Sequence, residues 1–118
     1  MTSRSEAFIH SSSVPTEVMA PGVIRQILGY GDSIMLVRVT FEEGAVGYVH
    51  KHFHTQVSYV ESGEFDVMID GVEQRLGPGD SFHIQPNLEH GAVCRKPGVL
   101  IDVFSPVRED FLEERADQ

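Results

Sequence analysis

The sequence predicts an all-β barrel or sandwich. From Gly22 onward, short apolar runs are cut by turn residues at intervals of roughly eight to twelve positions, and no strand–helix–strand alternation is present. Within one run, Phe65, Val67 and Ile69 alternate with Glu64, Asp66, Met68 and Asp70, the period of a strand with one face turned to a core. With 118 residues the chain has room for one domain and a real core. Residues 1–20 are expected to form an N-terminal tail or edge strand and 21–118 the folded domain.

Taken in order, the strands expected are Val23 to Leu28, Ile34 to Phe41, Val46 to His52, Gln56 to Glu61, Glu64 to Asp70, Val72 to Leu76, Ser81 to Ile84, His90 to Arg95 and Val99 to Phe104. Asp70-Gly71, between Ile69 and Val72, suits the type I′ turn of a tight hairpin. Gly77-Pro78-Gly79-Asp80 closes the next strand. After Pro106, Val107, Phe111 and Leu112 stand among charges, as in a short amphipathic helix over Val107 to Ala116 that lies on the barrel. Met1 to Thr16 is polar and Ser-rich, without the apolar stretch of a secretion signal, and no run approaches the roughly 20 apolar residues of a membrane span. A cytoplasmic protein that does not bind membranes is expected. The single Cys94 cannot form an internal disulfide and reads as a small buried thiol.

Nine basic and eighteen acidic residues give a formal charge of −9, with the basic ones scattered. Such a field repels nucleic acid. An anionic ligand would need local positive charge from a metal and one or two arginines.

The histidines supply that possibility. His50 and His52 are two positions apart, so an extended strand sends both imidazoles to one side. Gln56 shares their parity, but in a continuous strand it would lie about 20 Å from His50. A turn at Phe53 to Thr55 would fold it back within reach and leave His54 on the turn, outside the ligand set. His90 follows the turn-forming Pro86-Asn87 and opens a strand with Ala92 and Cys94 on the same face. His10 and His83 stand alone and are expected to be ordinary hydrogen-bonded or exposed histidines. The expected metal set is therefore His50, His52, Gln56 and His90, around one divalent ion. Zinc, nickel, manganese, iron or cobalt would all suit three imidazoles and an amide.

Gly44 to Glu64, with His50, His52, Gln56 and Gly63, resembles the first cupin motif, and Gly79 to Gly91, with Gly79-Asp80, Pro86-Asn87 and His90-Gly91, resembles the second. The resemblance implies a single-domain jelly-roll β-barrel with a short C-terminal helix and a metal in its mouth. Where most cupins carry a Glu, this chain has Gln56, and an all-neutral ligand set leaves the full charge of the ion available as a Lewis acid or an anion anchor. The stretch Leu100-Ile101-Asp102-Val103-Phe104-Ser105-Pro106-Val107-Arg108-Glu109-Asp110-Phe111-Leu112 is similar to the narrower group of uronate-ketonising cupins, the KdgF type of pectin and alginate catabolism.

By that similarity the substrate is a 4,5-unsaturated monouronate, converted to linear 5-keto-4-deoxyuronate. The pocket residues are then Gln56, Asp102, Phe104 and Arg108, with Asp102 and Arg108 catalytic and Gln56, Phe104 and Arg108 against the substrate. Read from the residues alone, Asp102 shares a strand face with Leu100 and Phe104 and is either at a rim or in use, Phe104 fits ordinary core packing equally well, and Arg108 fits a solvated helix turn paired with Asp110 or Glu109. A homodimer is the expected assembly. Two other classes stay open: a cupin dioxygenase using iron, nickel or copper, and a non-catalytic, metal-dependent sugar-binding cupin.

Overall fold

The computed structural model describes residues 4–116. In chain order the strands are β1 (Glu17–Ala20), β2 (Val23–Gly31), β3 (Ile34–Phe41), β4 (Val46–His50), β5 (Thr55–Ile69), β6 (Val72–Leu76), β7 (Ser81–Ile84) and β8 (His90–Ser105), followed by the helix α1 (Glu109–Ala116). Each pairing is antiparallel, in the order β1-β2-β3-β8-β5-β6, with β4 on β8 and β7 on β5.

Two long strands make this a jelly roll. The first half of β5 pairs with the last half of β8 and with β7, whereas its second half pairs with the start of β8 and with β6. Each strand thus serves two sets of partners, one along each half. The change of partners lies where the ladder shifts register between Val60 and Phe65. There Gly63 has φ +83°, and a Cβ on it would come 2.6 Å from the Lys96 carbonyl and 2.7 Å from the Gly98 Cα. A Cβ on Gly98 would fall on the Ser62 carbonyl. Only glycine allows the two backbones to cross so closely.

Several expected boundaries change here. Gln56 to Glu61 and Glu64 to Asp70 are one strand, as are His90 to Arg95 and Val99 to Phe104, because the chain bends at Gly63 and Gly98 without leaving the ladder. The strand expected over Val46 to His52 stops at His50. The His52 carbonyl accepts from the Asn87 amide at 2.7 Å, which ties that residue to the loop before β8 rather than to a ladder. β1 continues the sheet beyond β2 of its own chain. Helix α1 begins two residues later than Val107. The Asp70-Gly71 hairpin has positive φ at both positions, 50° and 81°, as a type I′ turn requires.

Inside the barrel, cross-strand partners form rows. Gln56, Phe104 and Met35 make the row nearest the histidines, followed by Ser58, Asp102, Val37 and Ile27, and then by Val60, Leu100, Val39 and Arg25. Apart from Asp102, which is partly buried, these side chains are almost fully enclosed. The polar ones are concentrated in the first two rows. Val107, ahead of α1, and Phe111 within it join the core and close the side of the barrel. Among the described residues no helix is long and apolar enough to cross a membrane.

Candidate metal centre and cavity

His50, at the end of β4, is the ladder partner of His90, at the start of β8, and their rings lie 4.4 Å apart between centroids. His52 follows one residue beyond an exposed Lys51 and brings its ring to 4.8 Å from that of His90. One nitrogen from each of the three falls within 4.8 Å of the others, so the cluster can hold a metal ion.

The hydrogen bonds decide which nitrogens are free. A carbonyl can only accept, so His50 Nδ1–H donates to Tyr48 at 2.8 Å, His90 Nδ1–H to Leu88 at 2.9 Å and His52 Nδ1–H to His54 at 3.1 Å. Each imidazole is then a tautomer with its Nε2 lone pair available, the arrangement metal-binding histidines adopt. His90 Nε2 is buried and has no hydrogen-bond partner among the described residues. His52 Nε2 lies 3.0 Å from Gln56 Oε1. With Nδ1 protonated these are two acceptors facing each other, and a cation in reach of both relieves the conflict. The residues therefore fit a divalent ion.

Electrostatics point the same way. Burial, followed by the positive charge of Arg108, pushes His52 down to about 4. Burial likewise holds His90 below its ordinary value. Both rings remain neutral, ready to coordinate, at any pH near neutrality.

The fourth expected residue, Gln56, is the second residue of β5, past the bend that follows His52, and is buried. Its Nε2 donates to Ser58 Oγ at 2.9 Å, and Ser58 Oγ–H donates to Asp102 Oδ1 at 2.6 Å. Asp102 lines a cavity of about 450 Å³ together with His50, His90, Gln56, Phe104 and Arg108, within the size range of small-molecule sites. Its carboxyl is pushed up to about 6 by burial, against the opposing influence of Ser58 and Arg108.

Arg108 is buried rather than solvated, which corrects the helix-surface alternative. Its guanidinium lies 4.0 Å from the Phe111 ring centroid and 5.0 Å from that of Phe104, and it grips Asp110 through Nε at 3.0 Å and Nη2 at 2.7 Å. Asp110 is about half exposed. Phe104 meets the His52 ring edge-on at 5.7 Å and the Phe111 ring at 5.6 Å. It serves as core and as cavity wall at once.

His54 sits on the turn and outside the histidine cluster, as expected. It is buried, stacked on Phe53 with 3.9 Å between centroids, in a second hollow that also touches His52 and Asp110. His10 and His83 are exposed and neither belongs to the cluster. Two residues escaped the sequence reading. Ser58 shares the inward parity of Gln56, which was a usable signal. Arg25 alternates with Val23 and Ile27, which places a guanidinium in a core row. There it contacts Glu114 at 3.2 Å, lies 3.7 Å from Glu17, and stacks on the face of Phe111 at 4.2 Å.

The comparisons with known proteins agree with this architecture. The cupin domain family matches residues 37–104. The pectin degradation protein KdgF of Dickeya dadantii (strain 3937) is 44% identical over 100 residues, spanning 83% of this chain and 91% of that protein. Among solved structures, an RmlC-like cupin from Shewanella frigidimarina superposes with a TM-score of 0.89 at 50% identity, covering 92% of this chain and 97% of the other. KdgF from Halomonas sp. gives a TM-score of 0.85 at 38% identity, covering 91% and 99%. The chain belongs to the cupin family and, within it, to the KdgF group.

Proposed function

We propose that the protein is a metal-dependent enzyme of pectin or alginate breakdown that opens 4,5-unsaturated monouronates and ketonises them to 5-keto-4-deoxyuronate. The observation that carries the proposal is the shared cavity: an acidic group held near neutrality, Asp102, opens onto the same space as the imidazole cluster. The kinship with pectin degradation proteins supports the substrate class.

His50, His52, His90 and Gln56 would hold the ion. Bound there, it supplies Lewis acidity to an oxygen on which negative charge develops. Asp102 moves the proton. As a carboxylate it takes the hydrogen of the anomeric hydroxyl while the C1–O1 bond becomes a carbonyl and the bond from C1 to the ring oxygen breaks. As a carboxylic acid it returns that proton to C4, and the enol carbon C5 becomes the ketone. One proton leaves O1 and one arrives at C4, so no co-reactant is needed. A group with its pKa near 6 suits both halves of the transfer. Arg108 binds the uronate carboxylate in exchange for Asp110, with a planar fork matched to two oxygens. Phe104 forms the wall beneath the sugar ring. A homodimer would cover the outer face of β5, where Val57 and Tyr59 are about half exposed, and sedimentation tests it.

The deciding experiment follows alkene loss by ultraviolet absorbance and NMR after adding freshly made 4,5-unsaturated galacturonate, with and without chelator and against a no-enzyme control. Metal-dependent acceleration with 5-keto-4-deoxyuronate as product is expected. Alkene loss at the spontaneous rate with metal restored would refute catalysis and leave a binding protein.

A further inference from the structure

Ser58 is fully buried in the row between the histidine cluster and the lower core, where an apolar side chain would ordinarily stand. It has one hydroxyl proton. That proton goes to Asp102 Oδ1 at 2.6 Å, so toward Gln56 the hydroxyl can only accept, and Gln56 must offer its Nε2. The amide oxygen is thereby turned away from Ser58 and toward His52 Nε2, at 3.0 Å. Three side chains thus fix one another's polarity across a cross-strand pair, since Ser58 and Asp102 are direct partners in the β5–β8 ladder.

We propose that Ser58 is a positioning residue that couples the fourth metal ligand to the proton-carrying carboxylate, holding the Gln56 amide oxygen toward the ion and Asp102 Oδ1 in place while Oδ2 remains for the substrate. The proposal extends the ketonisation reading above and rests on it for its kinetic arm alone. With Asp102 ionised, the Ser58 hydroxyl and the Gln56 Nε2 are each used with the correct sense, and the Gln56 Oε1 is left facing the ion site. With Asp102 protonated and donating to Ser58, the hydroxyl proton has only Gln56 Oε1 to go to. The amide then turns over and presents its NH₂ to the ion. The network favours the ionised carboxylate at rest, so catalysis begins with Asp102 as base. The groups facing Asp102 are Ser58 from β5, Val37 from β3 and the Arg108 guanidinium ahead of α1.

The test compares Ser58→Ala, Ser58→Thr and wild type. Zinc affinity is measured by chelator competition, and kcat, KM and the pH profile with zinc saturating. Loss of an outer hydrogen bond to a ligand typically weakens metal binding about 10- to 100-fold. That loss is expected for Ser58→Ala, with kcat reduced at least about 10-fold, KM within a factor of about 3 and the acidic limb of kcat/KM moved up by about one pH unit. Ser58→Thr, which keeps the hydroxyl, should recover most of each. Unchanged zinc affinity and an unmoved acidic limb in a folded Ser58→Ala protein would overturn the proposal. So would equal losses in Ser58→Thr and Ser58→Ala. If wild type shows no turnover, the ketonisation reading fails separately. Ser58 is then judged on zinc affinity and on carboxyl-selective NMR titration of Asp102 in wild type and Ser58→Ala, neither of which needs turnover. The same NMR titration and wild-type zinc affinity decide the matter against Ser58→Cys if the alanine variant does not fold, with an intermediate displacement expected for the weaker thiol donor and none if the hydroxyl is idle.

Discussion

Replacing Asp102 by Asn should damage catalysis and strengthen the fold at the same time. The carboxyl sits between Ser58 and Arg108 in a largely desolvated position that raises it from 3.8 to about 6. At 1.36 kcal/mol per pH unit, ionising it in the folded protein at pH 8 costs on the order of 3 kcal/mol relative to the unfolded chain. The sign follows from proton binding. Between about pH 4 and 6 the folded state holds this proton more tightly than the unfolded state, so the group's contribution to stability falls as pH rises through that window and is constant above it. The asparagine side chain carries no charge, and its amide oxygen still accepts from Ser58. Urea unfolding of chelated protein should therefore show the variant more stable than wild type by up to about 3 kcal/mol at pH 8, with the difference vanishing near pH 4. In the ketonisation assay with metal restored, the same variant should lose about 10² to 10⁴ in rate, the usual worth of general acid–base catalysis. Wild-type activity in Asp102→Asn, or a stability difference that does not change with pH, would refute the reasoning.

Other variants probe the remaining parts of the site. Arg108→Lys keeps the charge but loses the planar fork, so KM should rise about 10-fold or more, with kcat changed less; unaltered steady-state kinetics would return Arg108 to a structural pairing with Asp110. Gln56→Glu brings a negative charge to the ion, and should hold zinc more tightly in chelator competition while lowering kcat, because the ion's net charge falls. Gly63→Ala forces a Cβ between the Lys96 carbonyl and Gly98 at a positive φ, and should destabilise the fold by roughly 3 kcal/mol or more in thermal or urea unfolding. A variant as stable as wild type would show that the strand crossing can relax.

The clustering of His50, His52 and His90 beside Gln56 could be read from the sequence because these residues obey simple parity and turn rules. His50 and His52 lie two apart, a turn at Phe53 to Thr55 returns Gln56, and Pro86-Asn87 sets up His90. What parity could not tell was that β4 ends at His50, since His52 owes its position to the Asn87 amide, a contact 35 residues away in sequence. The breaks expected after Glu61 and after Arg95 fall beside Gly63 and Gly98, where the strands continue: a glycine that can end a strand also lets two strands cross, and only the partner backbone distinguishes the cases. β1 could be read only as the edge-strand alternative for residues 1–20, because its inward residue is Glu17, matched to Arg25 on β2, so the apolar alternation that marks a strand is inverted there. Ser58 was overlooked as a small polar residue, although its parity placed it in the row below Gln56.

The rows of inward side chains also make the centre a sensor of correct folding. Gln56, Ser58, Asp102 and Phe104 alternate along β5 and β8 with the outward residues Val57, Tyr59, Ile101 and Val103. If either strand slipped by one residue, its own members of the site would turn to the outside while apolar residues turned in. Such a chain could still collapse into a compact barrel with much the same strand content, and spectroscopy of the backbone would hardly distinguish it. It could not assemble three imidazoles and an amide at one point. In a purified preparation, the fraction that retains metal against a chelator therefore counts molecules in the correct register.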